Sequence, residues 1–89
     1  MKRTYLEVTY RKGKPLAAYL YLPRQDGDRS HRSEKTEGGL IVDYSMDDRA
    51  IGIEIKSPST LDFAQLNRLL VRLGLDPVTV EDLRPLVAA

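Results

Sequence analysis

Three tyrosines, Tyr5, Tyr19 and Tyr21, stand at alternating positions of two segments that read as strands. Aromatic rings gathered on one sheet face can stack on single-stranded bases or seal a protein interface. Arg3, Lys12 and Lys14 lie near them in sequence, and basic neighbours are what a base-stacking surface uses to hold phosphates. A calcium-like spacing also occurs, with Asp43, Ser45, Asp47 and Glu54 at positions one, three, five and twelve of a twelve-residue window. That window has Asp48 where the sharp-turn glycine belongs and Ile51 at the ninth position, and its flanks read as strands where the calcium motif needs helices. Its aspartates are better explained as turn formers. His31, the only histidine, sits in a polar loop with no second ligand or nucleophile at a readable spacing. No Gly-x-Ser-x-Gly elbow occurs, and Gly38-Gly39 precedes a strand rather than the helix a phosphate cradle requires. The expectation is therefore no catalytic residue, no cofactor and no metal, and a non-enzymatic protein. The tyrosine set Tyr5, Tyr19 and Tyr21 is the candidate partner-binding surface.

The elements that must carry these residues follow from periodicity. Leu6, Val8 and Tyr10 alternate with Tyr5, Glu7 and Thr9, which predicts a half-buried strand over about 4–10. Arg11 to Pro15 interrupts it as a hairpin turn, Gly13 being free to take a positive φ. Leu16 to Leu22 resumes as a strand that is apolar on both faces. Arg24 to Ser33 is polar and aperiodic and reads as a mobile loop, and Glu34 to Glu37 as a short charged edge strand. Leu40, Val42 and Tyr44 then face Ile51, Ile53 and Ile55 across an Asp-rich hairpin turn. Sharing one face requires paired numbers with an odd sum, such as Val42 with Ile53, and hence a two- or four-residue turn. The alternative is a three-residue loop with Asp48 left-handed, which gives an even sum. Gly52 inside this strand marks a bulge or a close approach by another backbone or by a helix.

Beyond Lys56 the period changes from two to 3.6. Leu66, Leu69, Leu70 and Leu73 fall at i, i+3, i+4 and i+7, which predicts a helix over about 61–73. Ser59 or Thr60 would cap its start, and Gly74 stands at the expected C′ position. Thr79 to Asp82 has the form of a capping box with Asp in place of Glu, so a short second helical turn should begin there. The predicted fold is α+β: an antiparallel sheet of four to five strands in a meander, then a C-terminal helix packed on one face and the short second turn. A single domain, 1–89, would comprise the sheet at 4–56 and the helical part at 61–89.

The chain has 89 residues, no cysteine and a net charge of +1. That length supports one small core, which must hold without disulfides or thiolate ligands. The near-balanced charge gives no global reason to expect nucleic acid or an anionic membrane as partner. No stretch approaches the ~20 apolar residues of a membrane span. The absence of a long apolar N-terminal segment points to a cytoplasmic location.

Four segments, Ala18-Tyr19-Leu20-Tyr21, Ile41-Val42-Asp43-Tyr44, Asp47-Asp48-Arg49 and Gly52-Ile53-Glu54-Ile55, resemble the small bacterial domain-of-unknown-function family 2283. Leu66 to Leu86 is similar to the C-terminal extension of that family's longer members. Two positions depart from the pattern: Arg11 follows Tyr10 where the family has Asp, and Asp48 replaces a turn glycine. The resemblance implies no known activity. Some similar proteins look like the small partner of a toxin, so an antitoxin-like binding role follows by analogy. The expected function is a small protein-interaction module, self-associating as a homodimer or paired with another small protein. The alternative is single-stranded nucleic-acid binding through the tyrosine-bearing face.

Overall fold

A computed structural model describes residues 4–79, 81 and 82. Five strands, β1 (Tyr5–Arg11), β2 (Lys14–Tyr21), β3 (Arg32–Lys35), β4 (Leu40–Tyr44) and β5 (Ala50–Ile55), precede one helix, α1 (Phe63–Arg72). They form one sheet in the order β1-β2-β5-β4-β3, and each of the four pairings is antiparallel. The fold is thus α+β. Strands β3, β4 and β5 make a meander, and β5 docks against β2 of the first hairpin, so the loop between β2 and β3 spans the sheet.

Each turn has a local cause. At the first hairpin Lys12 and Gly13 both take positive φ, 53° and 78°, between the paired Arg11 and Lys14. That is the primed two-residue turn whose twist suits flanking strands. At the second hairpin Asp48 N donates to Ser45 O at 3.0 Å, Asp48 has φ 62°, and Ser45 N donates to Arg49 O at 2.9 Å. This is a three-residue loop, Met46 to Asp48, with Asp48 left-handed. Such a loop dictates an even register, and Tyr44 does pair with Ala50. Beyond it Asp43 pairs with Gly52, Val42 with Ile53 and Leu40 with Ile55, all odd sums. Ile51 is the inserted residue that converts one register into the other, a β-bulge. The expected odd register thus holds beyond the bulge, but the two- or four-residue turn expected with it does not form: the three-residue loop takes its place, and the inserted Ile51 restores the register that this loop alone would reverse. The bulge also separates Ile51 from Ile53 and Ile55: it is 1 % exposed, yet it lies outside the cluster that its two neighbours join.

The core lies between one sheet face and α1. Ala18, Leu20, Leu22, Leu40, Val42, Ile53 and Ile55 meet Leu66, Leu69, Leu70 and Val78 there. Each fully buried leucine or isoleucine contributes ~1.5–3 kcal/mol before the entropy of ordering is subtracted. The helix starts two residues later than its leucine period predicts. Asp62, rather than Ser59 or Thr60, caps it, accepting from Ala64 N at 2.9 Å and Gln65 N at 3.3 Å. Pro58–Thr60 forms its own 3₁₀ turn, which withdraws both hydroxyl residues from the capping position. The helix ends at Arg72, one residue before its leucine period predicts, with Leu73 as C-cap and Gly74, φ 81°, at the expected C′ position, Gly74 N donating to Val71 O and Leu75 N to Leu70 O, the paired bonds of a Schellman motif.

Three further segments complete the picture. The edge strand begins at Arg32, two residues before the charge pattern indicates. Asn67 on α1 donates from Nδ2 to Val78 O at 3.1 Å and accepts from Val78 N at 2.8 Å, and so pins the chain after the helix as a strand partner would. The capping box is reciprocal: Thr79 N donates to Asp82 Oδ2 at 2.8 Å and Asp82 N to Thr79 Oγ1 at 3.2 Å. The helical turn expected after it, and the apolar tail to Ala89, lie outside the described residues.

Candidate functional site

The sheet face away from α1 carries the three tyrosines, and cross-strand register explains why they meet. Tyr5 is paired with Tyr21 across β1 and β2, and their rings stack with centroids 4.5 Å apart at 10°. Tyr19, two residues along the same face of β2, meets Tyr21 edge-on at 4.7 Å and 68°. Offset stacks and edge contacts are the arrangements that aromatic quadrupoles favour. Tyr5, at the open end of this ladder, is 46 % exposed.

The hydroxyls of the inner two rings are committed. Tyr19 Oη donates to Asp43 Oδ2 at 2.7 Å, and Asp43 Oδ1 accepts from Ser33 Oγ at 2.5 Å. The phenol therefore crosses β5 completely, and it can do so because the residue beneath it is Gly52. A Cβ on Gly52 would lie 1.9 Å from Tyr19 Oη and 2.3 Å from its Cζ. Tyr21 Oη donates to Glu7 Oε1 at 3.2 Å, and the Arg24 guanidinium sits 5.2 Å above the Tyr21 ring. Desolvation, then the hydrogen bond to Asp43, pushes the Tyr19 phenol far above its ordinary value. Desolvation and the bond to Glu7 raise Tyr21 as well. Neither hydroxyl is prepared to act as a base or nucleophile near neutral pH.

Carboxylates are interleaved with the rings. Glu7 is paired with Tyr19, which is paired on its other side with Glu54, and Asp43 lies across from Gly52. Arg24 joins them over the Tyr21 ring, and Lys35, in line with Glu54 through Ile41, is a further cation on this face. Lys14 pairs with Arg11 at the opposite end of β2 from Tyr21, so the hairpin lysines do not flank the ring ladder, and Arg3 lies outside the described residues. The tyrosine positions were visible as an alternation in the sequence. Arg24 was not, since it comes from a loop with no period, and neither was the role of Glu7, Asp43 and Glu54, which pairing alone defines.

That loop is held firmly. Asp28, whose side chain is 10 % exposed, accepts from Arg49 Nη1 at 2.9 Å and Nη2 at 2.7 Å, and from Gln25 N at 2.8 Å. Arg49 Nε also donates to Asp47 Oδ2 at 2.9 Å, while Ser45 Oγ donates to Asp47 Oδ1. The bidentate pair ties the β2–β3 loop to the acidic turn of the second hairpin. Arg24 Nη2 donates to Ile51 O, which also accepts from Leu22 N at 3.2 Å, so the carbonyl at the bulge anchors the start of the loop. Three residues of the calcium-like spacing thus have other partners: Asp43 binds Tyr19 and Ser33, and Asp47 binds Arg49 and Ser45. Among the described residues no group of three or more His, Cys, Asp or Glu is placed to hold a metal ion. Among them, too, no helix is long and apolar enough to cross a membrane.

No family model, no curated protein and no solved structure matches this chain.

Proposed function

We propose that the chain is a non-enzymatic protein-interaction module whose tyrosine-bearing sheet face is the partner surface, as a self-associating protein or beside another small protein. The observation that carries this reading is the Tyr5–Tyr21 stack, a rigid aromatic platform ending in a half-exposed ring at the margin of the sheet. Rings already fixed by stacking and hydrogen bonds lose little entropy on contact and offer large area. The residues behind the resemblance to domain-of-unknown-function family 2283 include Tyr19, Asp43 and Gly52, the three that touch across this face. Membership in that family and an antitoxin-like role in a bacterial cytoplasm belong to the same proposal.

Charge argues against the nucleic-acid alternative. Glu7, Asp43 and Glu54 share the face with the rings, and phosphates would have to approach three carboxylates. A partner presenting apolar or basic side chains suits it. The test is affinity capture of the tagged chain from its native cell over a range of wash salt, beside the variant Tyr5→Ala. A stoichiometric protein partner that survives high salt and is lost with Tyr5→Ala is expected. Co-purifying RNA that falls away steeply with salt would overturn the reading.

A further inference from the structure

The two edges of this sheet are built differently. The β3 edge is four residues long, fully exposed and charged, with Arg32 bonded to Asp48 at 3.0 Å and to Glu34 at 3.3 Å. Short charged strands of this kind discourage further pairing. The opposite edge, β1, runs seven residues, carries charge only at Glu7 and Arg11, and contains no proline. Its one pairing among the described residues is with β2, and the bulge in that ladder lies at Leu16 on the partner strand, so β1 itself is regular.

The sequence of β1 is complementary to itself. Laid antiparallel about Val8, its residues pair so that Tyr5 faces Arg11 of a second copy, Leu6 faces Tyr10, Val8 faces Val8, and Glu7 faces Thr9. Odd positions stay on the tyrosine face and even positions on the core face, so each sheet continues into the next without breaking its alternation. The Arg11 guanidinium of the second copy would meet the half-exposed Tyr5 ring and extend the stack, a cation-on-ring contact. On the core face, Leu6 and Val8 are only half covered by their own protomer, and Leu16 beyond them is 51 % exposed. Apolar residues of a second copy would close that margin. Nothing in the pairing sets like charges opposite each other.

We propose that β1 is the interface with a second copy of this chain, joining two five-stranded sheets into one antiparallel ten-stranded sheet about a two-fold axis through Val8. This deepens the reading of the tyrosine face as a partner surface and rests on it, because the axis places both faces on the same side.

The chain has no cysteine, which makes the register directly testable. Sedimentation equilibrium of the wild type should give twice the chain mass, falling to the single mass on dilution. Thr9→Glu sets a carboxylate against Glu7 of the second copy twice and should yield a monomer with an unchanged circular dichroism spectrum. Thr9→Lys, of similar bulk and opposite charge, should keep the dimer. Under mild oxidation Val8→Cys should cross-link to a covalent dimer much faster than Thr9→Cys, since only residue 8 faces itself. A wild type monomeric at all concentrations, a dimer indifferent to Thr9→Glu, or faster cross-linking through residue 9 would overturn the proposal. If the wild type is monomeric yet still captures a protein in a Tyr5-dependent way, the partner surface stands and the second copy falls.

Discussion

The Tyr19 phenol lies directly on the backbone of Gly52, so close that a Cβ there would fall 1.9 Å from the hydroxyl oxygen. One relationship accounts for two local oddities. A glycine in the middle of an isoleucine-rich strand would otherwise weaken it, and a tyrosine lying flat over the sheet would otherwise leave its hydroxyl without the Asp43 acceptor. The ring covers the exposed backbone of the glycine, and the glycine opens the path to Asp43.

Gly52→Ala is therefore expected to destabilise the protein by about 1–3 kcal/mol, the usual cost of overpacking. The same substitution in a Tyr19→Ala background should cost much less, because the clashing ring is gone. Denaturant unfolding of the two single variants and the double variant measures the coupling. Equal penalties in both backgrounds would show that the glycine serves some purpose other than making room for the ring.

The Tyr19 ionisation supplies an independent check. Its folded-state pKa is raised, by desolvation first and the bond to Asp43 second, so the stabilisation is complete below the unfolded value near 10 and is lost as pH rises beyond it. In a spectrophotometric titration of phenolate absorbance, part of the signal should appear only as far-ultraviolet circular dichroism is lost. Tyr19→Phe should remove that part. A phenolate signal complete before any loss of structure would contradict the buried, Asp43-bonded hydroxyl.

Much of the fold was legible because its signals are local. The leucines of α1 repeat at 3.6, Gly74 sits where a Schellman turn needs it, and the Thr79–Asp82 capping box forms as its spacing indicates. The odd strand register was legible too, since only it buries Val42 with Ile53. What escaped depended on compensation between distant parts. Asp48 adopts the left-handed turn that alone would reverse every side chain, and the Ile51 bulge restores the face, so neither event leaves a net trace in the alternation. Gly52 announced a close approach by a backbone or a helix, but what lies on it is the Tyr19 ring from β2, which only the strand pairing brings there. Arg24 to Ser33 reads as an unrestrained loop because the bond that restrains it joins Asp28 to an arginine 21 residues later.

Asn67→Ala should loosen the segment after α1. The wild-type side chain satisfies both the N–H and the C=O of Val78, and alanine leaves that half-buried backbone unpaired at a cost of about 1–3 kcal/mol. Amide exchange at Val78 should accelerate markedly while the β4 and β5 amides keep their ranking. Asn67→Asp retains the acceptor and should protect the Val78 amide better than alanine does.

The Arg49 network contributes to the response to acid, beside Asp82, whose carboxyl the Thr79 amide and hydroxyl hold low. The Arg49 guanidinium, then the Ser45 hydroxyl, holds the Asp47 carboxyl down at about 2, and Arg49 with the Gln25 amide lowers Asp28. Both folded-state values lie below the unfolded carboxyl value near 3.9, so the stabilisation is fully present above that value and disappears as pH falls through the folded values. The urea midpoint should accordingly decline between about pH 5 and pH 2. Arg49→Met should lower the midpoint at neutral pH and flatten this decline, since without the guanidinium the two carboxyls lose most of their shift. Asp28→Asn should flatten it only in part, because Asp47 keeps both of its donors. Parallel curves for the wild type and Arg49→Met would mean that the ion pair linking the long loop to the second hairpin adds nothing to the folded state in solution.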